Sequence, residues 1–220
     1  MKILTIFISQ SILIGLAFFM CSCQKKEDNS QLTMVKEQIE EPPPPPSSDL
    51  LHSLKEKELL DYIQTAKTVK PNPNNGAPFN QLDYDKIIAY DFQGEEEMYE
   101  DAIDRKGKFI PVILKQQFLT QQQADHILSA LAKNSSYGGG SAACFRPHLG
   151  LVFFKGNKKV NQISICLSCN ASHSEIEIPA KKHKLVNKGT KDEYSLEGFT
   201  SSGKKAIAQL CKKINFQYGR

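Results

Sequence analysis

Two apolar stretches on either side of a short turn constrain the folding of this chain more than any other feature. Residues 149–154 are apolar, Gly156-Asn157 has the composition of a turn, and residues 160–167 alternate between apolar and polar side chains. Such a pattern around a glycine-containing turn is typical of a β-hairpin. Residues 142–145 are also apolar and predict a strand just before it. The chain should therefore contain an antiparallel sheet centred on a hairpin at about residues 142–167.

Helices are predicted both before and after this hairpin along the chain. A capping-box pattern, Ser53-Leu54-Lys55-Glu56, begins a helix over 54–67, and a second box joins Thr120 to Gln123 ahead of another helix. Apolar residues at helical spacing predict a last helix over 203–214. Shorter elements are predicted as strands at 86–92, 109–114 and 175–178 and as an acidic helix at 95–105. Helices combined with adjacent antiparallel strands predict an α+β fold, with a small antiparallel sheet packed against several helices.

The start of the chain has the composition of a bacterial lipoprotein signal. A mostly apolar run follows Lys2, and Ser22 is a small residue directly before Cys23. A basic start, an apolar stretch and small residues before a processing site define a secretory signal. The tetrapeptide Met-Cys-Ser-Cys at this site resembles a bacterial lipobox, which implies that residues 1–22 are a signal peptide and that Cys23 is acylated. Cys21 is the rival lipidation site, and a plain secretory signal is the alternative interpretation.

A spacer follows the cysteine that we expect to be lipidated. Residues 23–48 contain five consecutive prolines at 42–46, which as polyproline II form a stiff segment of roughly 15 Å. The remaining residues, 49–220, suit a single α+β domain. The segment Gln24-Lys25-Lys26-Glu27-Asp28 resembles the surface-export signal of some Gram-negative lipoproteins. The predicted location is therefore the cell envelope, anchored by lipid in the outer membrane and facing either the periplasm or the cell surface.

The charge balance argues against a nucleic-acid partner. The formal net charge is +4, whereas nucleic-acid-binding domains usually combine a pI above about 9 with clustered basic residues. The membrane, reached through the lipid anchor, is the partner that the sequence predicts. Its protein or envelope partners stay open.

A group of cysteine and histidine residues is the candidate site. Cys144 and His148 lie just before the first hairpin strand, and Cys166 and Cys169 lie where the second strand ends. Because a hairpin brings its two ends together, we expect these four residues to be neighbours. Cys211 lies apart from them, in the last predicted helix.

Three kinds of chemistry suit this group. An even number of cysteines in an exported protein favours disulfides, and a bridge from Cys144 to Cys166 or Cys169 fits the strand ends, although sequence does not fix the pairing. The set Cys144, His148, Cys166 and Cys169 would also suit a closed structural zinc site, with His173 as a spare ligand. Thiol catalysis is the third alternative, but no helix is predicted after Cys-x2-Cys to stabilise a thiolate.

Two segments of this region resemble one bacterial family. The run Cys144-Phe145-Arg146-Pro147-His148 and the strand end Cys166-Leu167-Ser168-Cys169 are similar to the Cys-Phe-x-Pro-His and Cys-x2-Cys motifs of a family of uncharacterised bacterial lipoproteins and exported proteins. The resemblance implies that the four cysteine and histidine residues form one unit, and it supplies no substrate.

The sequence thus predicts a membrane-anchored exported lipoprotein that acts by binding or as an envelope component. No catalytic residues are assigned, and the cysteine and histidine residues are expected to stabilise the fold. A thiol- or zinc-dependent enzyme that uses Cys144, His148, Cys166 and Cys169 is the alternative, with structural zinc as the possible cofactor.

Overall fold

The computed structural model describes residues 53–95 and 98–217, which belong to one compact unit, Pro45–Arg220. The predicted signal peptide, Cys23 and the spacer lie outside the described residues. The helices are α1 (Glu56–Thr65), α2 (Gln121–Leu131) and α3 (Ser201–Lys213). The strands are β1 (Lys86–Phe92), β2 (Ile113–Phe118), β3 (Tyr137–Gly139), β4 (Leu149–Lys155), β5 (Lys158–Cys166), β6 (Ala171–Ser174), β7 (Leu185–Val186), β8 (Tyr194–Ser195) and β9 (Gly198–Phe199).

Five strands form one antiparallel sheet in the order β2-β1-β4-β5-β6. The β4–β5 hairpin turns at Gly156, whose φ is +58°, a conformation that glycine adopts at little cost. The sheet and the three helices confirm the predicted α+β fold. Two further pairs, β3 with β9 and β7 with β8, lie outside the main sheet.

The sheet buries apolar side chains on both faces. In β1, Ile87 and Ala89 pack with α2 and α3, whereas Ile88, Tyr90 and Phe92 pack on the opposite face with α1. Successive side chains of a strand point to opposite faces, so a strand covered on both sides is apolar along most of its length. Every residue of β1 is accordingly buried.

The helices follow their periodic patterns closely. Thr120 caps α2 as predicted: its hydroxyl accepts a hydrogen bond from the Gln123 backbone at 3.3 Å, and the Gln123 side chain accepts one from the Thr120 backbone at 2.9 Å. α1 begins two residues later than its pattern suggests, because the backbone N–H of Lys55 donates to the carboxylate of Glu58 at 2.9 Å. None of the helices in residues 53–95 and 98–217 is long and apolar enough to cross a membrane.

The prediction of an acidic helix over 95–105 is wrong, because residues 98–105 contain no helix. The backbone of this segment makes hydrogen bonds to side chains instead. The buried side chain of Gln162 accepts a hydrogen bond from the Ile103 N–H at 3.3 Å and donates one to the Ile103 carbonyl at 2.8 Å. The carboxylate of Asp104 then accepts from the N–H groups of Lys106 and Lys108. Asp side chains that bond nearby backbone in this way stabilise turns in competition with helix.

Three strand predictions were also misplaced. β2 lies at the sheet edge but begins only after Pro111, which cannot donate to a ladder. The strand expected at 175–178 is formed instead by β6, and residues 142–145 are not a strand. Residue Ala142 does bond to the end of the hairpin, but through a single contact to Cys169.

Candidate functional site: the Cys166–Cys169 turn at the end of the hairpin

The predicted neighbourhood of the two hairpin ends is confirmed by backbone hydrogen bonds. The N–H of His148 donates to the carbonyl of Ile165 at 3.1 Å, and the N–H of Ala142 donates to the carbonyl of Cys169 at 2.8 Å. The segment 142–148 therefore runs directly beside the Cys-x2-Cys turn. Pro147 is held from its other side, because the N–H of Gly94 donates to its carbonyl at 2.8 Å.

Cys166 and Cys169 are joined to each other by a disulfide, with their Cα atoms 5.4 Å apart. Residues 167–170 form a turn, which ends at Asn170 with a φ of +56° and brings Cys169 back beside Cys166. The bridge from Cys144 that the strand ends favoured is thus not the one present. Cys144 is an exposed free thiol in the irregular segment before β4, where the ladder does not hold it against Cys166.

Hydrogen-bond donors face both sulfur atoms of the disulfide. The N–H of Cys169 lies 3.2 Å from the Sγ of Cys166, and the hydroxyl of Ser168 lies 3.3 Å from the same sulfur. The N–H of Arg146 lies 3.4 Å from the Sγ of Cys169. Donors at these positions would stabilise negative charge on either sulfur if the bond were opened. Both half-cystines are nevertheless buried, at 0% and 1% exposure.

The four residues predicted as zinc ligands do not form a ligand set in this arrangement. Cys166 and Cys169 bond to each other, and Cys144 is exposed. The Nδ1 of His148 lies 3.1 Å from the carbonyl oxygen of Phe92. Within the described ranges, no group of three or more His, Cys, Asp or Glu side chains is placed to hold a metal ion.

A second polar group, which the sequence did not reveal, lies next along the same strands. Ser164 donates its hydroxyl to the carboxylate of Asp101 at 2.5 Å, and the Nδ1 of His173 lies 3.4 Å from the same oxygen. Ser164 and His173 face each other across β5 and β6. Ser164 was visible in the sequence only as a polar position between Ile163 and Ile165, and His173 only as a spare zinc ligand. Neither signal can point to Asp101, which is 63 residues from Ser164 and 72 residues from His173.

This group has the composition of a hydrolase triad but a different geometry. The hydroxyl of Ser164 is buried and donates to Asp101, whereas a nucleophilic serine needs an exposed hydroxyl bonded to histidine. Burial by itself would raise the pKa of Asp101, but hydrogen bonds from His173 and Ser164 lower it overall. The hydrogen bond between His173 and Asp101 also raises the pKa of His173. The arrangement is that of an ion pair that fixes residues 101–103 to the sheet.

Cys211 has no part in this site. It lies on the buried face of α3, and burial, with a smaller effect of Asp91, raises its pKa from 9.0 to about 12. The thiolate is the reactive form of cysteine. Cys211 therefore behaves as a small apolar core residue.

Comparisons with protein-family models, with curated proteins and with solved structures found no match to this chain.

Proposed function

We propose that this protein is a lipid-anchored component of the bacterial cell envelope that acts by binding rather than by catalysis. In this proposal Cys23 carries the lipid, residues 23–48 hold the domain away from the membrane, and the Cys166–Cys169 disulfide stabilises the domain. The buried disulfide is the observation that carries the proposal.

The disulfide supports export because of the compartment that it requires. Disulfides form and persist outside the reducing cytoplasm, in the periplasm or on the cell surface. The signal-like start of the chain independently predicts the same compartment. An exported domain with a buried disulfide and a lipobox-like sequence fits a lipoprotein better than a plain secreted protein.

The surroundings of the sulfur atoms support a stabilising role. The disulfide closes the turn that leads from β5 into β6, and the side chain of Asn170, the last residue of that turn, donates to the carbonyls of Gly140 and Phe199 at 2.7 and 3.1 Å. The turn thus connects the main sheet to the β3–β9 pair. A covalent bond that fixes this turn favours the folded domain by restricting the unfolded chain.

Two cysteine variants test the anchor. We expect Cys23→Ala to release the protein from the membrane pellet, because several acyl chains hold a lipoprotein essentially irreversibly and none remains in this variant. Cys21→Ala is the matched control and should stay in the pellet with an unchanged acylated mass. The measurements are membrane fractionation in high salt and intact mass of the detergent-extracted protein.

The opposite distribution would contradict the proposal. If Cys23→Ala stays acylated while Cys21→Ala does not, lipidation is at Cys21, and if the wild-type protein carries no lipid, the chain is not a lipoprotein. If the wild-type protein is acylated, protease treatment of intact cells distinguishes a surface-facing domain from a periplasm-facing one, because only a surface-facing domain is cleaved while the cells remain whole.

A further inference from the structure

We propose that Cys144 exchanges with the buried disulfide. In this step the Cys144 thiolate attacks the Sγ of Cys169, a Cys144–Cys169 bond forms, and Cys166 leaves as a thiolate with the electron pair of the broken bond. The step needs no external oxidant or reductant, because one disulfide and one thiolate are present before and after it. This activity goes beyond the binding role proposed above.

The segment that carries Cys144 passes directly over Cys169. Ala142 donates to the carbonyl of Cys169 at 2.8 Å, and Arg146 donates to its Sγ at 3.4 Å. Cys144 is two residues from Ala142 and two from Arg146, so its Cα lies at most about 7 Å from the Cα of either residue. A disulfide needs a Cα distance of about 4.4–6.8 Å, so the exchange requires this irregular segment to bring the Cα of Cys144 within that distance of the Cα of Cys169.

The same contacts select Cys169 as the sulfur that is attacked. The two hydrogen bonds that flank Cys144, from Ala142 and Arg146, are both made to Cys169, whereas Cys166 is the last residue of β5 and is paired there with Ala171. The ladder holds Cys166 in the sheet, and the turn residue Cys169 is the one that the segment touches.

Cys166 is also the better placed leaving group. The N–H of Cys169 and the hydroxyl of Ser168 lie 3.2 and 3.3 Å from its Sγ. Hydrogen bonds to the leaving sulfur lower the cost of its negative charge, and thiol–disulfide exchange is faster when the leaving thiolate is more stable. The released thiolate would therefore have two donors in place.

Exchange would move the disulfide from the interior to the surface. Cys166 and Cys169 are buried, whereas Cys144 is exposed. In the resting pairing, Cys144 is the one of these three cysteines that an external reagent can reach. In the exchanged pairing the Sγ of Cys144 is part of a disulfide that an external thiol can attack.

Two single variants of the full chain test the choice of sulfur. Each is exported, purified without reductant, treated with glutathione disulfide, alkylated and digested with trypsin. Cleavage after Lys155 and Lys159 separates the peptide with Cys144 from the one with Cys166 and Cys169, so that a cross-link joins two peptides. We expect Cys166→Ser to give the Cys144–Cys169 cross-link in a yield at least about tenfold above the cross-link yield of Cys169→Ser.

The wild-type protein provides a second measurement that does not depend on how well the variants fold. After incubation at mildly alkaline pH without oxidant, acid quenching and alkylation should reveal a fraction with Cys144 cross-linked to Cys169 and with Cys166 alkylated. Equal or absent cross-linking in the two variants would overturn the choice of Cys169. A wild-type protein with Cys144 alkylated and no cross-linked fraction would overturn the exchange itself.

Discussion

Asp101 is the residue whose role depends most on partners that are distant in sequence. Its carboxylate accepts a hydrogen bond from the hydroxyl of Ser164 and lies beside the imidazole of His173. Asp101 therefore joins the irregular segment 98–105 to β5 and β6. Glu100 also raises the pKa of His173, whereas Lys181 lowers it. Because the Asp101 side chain is 19% exposed and that of His173 is 52% exposed, solvent weakens the pair without removing it.

The Asp101–His173 pair should stabilise the domain most at mildly acidic pH. The pKa of His173 is raised from 6.5, so its contribution is complete below that value and is lost as pH rises through the raised pKa. The pKa of Asp101 is lowered from 3.8, so its contribution is complete above that value and is lost as pH falls through the lowered pKa. Both partners are therefore charged together near pH 5.

A double-mutant cycle measures this contribution. Asp101→Asn, His173→Asn and the double variant should give a favourable coupling free energy of unfolding at pH 5, below about 1 kcal/mol because His173 is half-exposed. The coupling should decrease at pH 9, where the imidazole is neutral. Asp101→Asn keeps an acceptor for Ser164, so it is the conservative change. A coupling that grows between pH 5 and pH 9 would contradict the ion pair.

Among the elements, the segment that leaves β1 fixes the entry into β4. The N–H of Gly94 bonds to the carbonyl of Pro147, and Phe92 bonds through its N–H to the carbonyl of His148 at 3.2 Å. A Cβ at position 94 would overlap the carbonyl oxygen of Pro147 and lie 2.6 Å from its Cδ. Only glycine allows the two backbones to approach this closely.

Gly94→Ala should therefore destabilise the domain by about 1–3 kcal/mol, which is the usual cost of overpacking a buried contact. Gly140→Ala is the matched control, since a Cβ there has no atom within 4 Å, and its effect should be small. The measurement is urea unfolding followed by circular dichroism. An equal loss of stability in both variants would show that the contact with Pro147 is not the cause.

At the scale of the whole molecule, the sheet separates two apolar cores. α2 and α3 cover one face and α1 covers the other. Cys211 lies in the first core at 0% exposure, whereas Cys144 lies outside both cores. The two free thiols within residues 53–95 and 98–217 therefore report on different parts of the molecule.

Alkylation should distinguish these thiols strongly. In native buffer Cys144 should react promptly with iodoacetamide. Cys211 should react at least about a thousandfold more slowly, because its labelling requires unfolding that costs several kcal/mol. In urea above the unfolding transition both thiols should react at similar rates, which controls for intrinsic reactivity. Fast labelling of Cys211 in native buffer would indicate that α3 opens independently of the sheet.

Local patterns in the sequence determined the longer elements but did not predict the short strands β3, β7, β8 and β9. β1, the β4–β5 hairpin, α2 and α3 were predicted because their signals involve residues within about four positions of each other. These signals are apolar runs, alternation, helical spacing and capping boxes. The same reasoning wrongly predicted a helix for the acidic segment 98–105. Its conformation depends on Gln162 and Ser164, which the chain brings near only after the sheet has formed.

The sequence by itself determined that the segment with Cys144 and His148 runs beside the segment with Cys166 and Cys169, because a hairpin must bring its two ends together. Only the tertiary structure decided which sulfurs are joined, since this depends on the turn at 167–170, where Asn170 adopts a positive φ and brings Cys169 back to Cys166. Only the tertiary structure, likewise, placed Asp101 beside Ser164 and His173. Strand register and side-chain direction place such partners, and the order of residues in one segment carries no information about either.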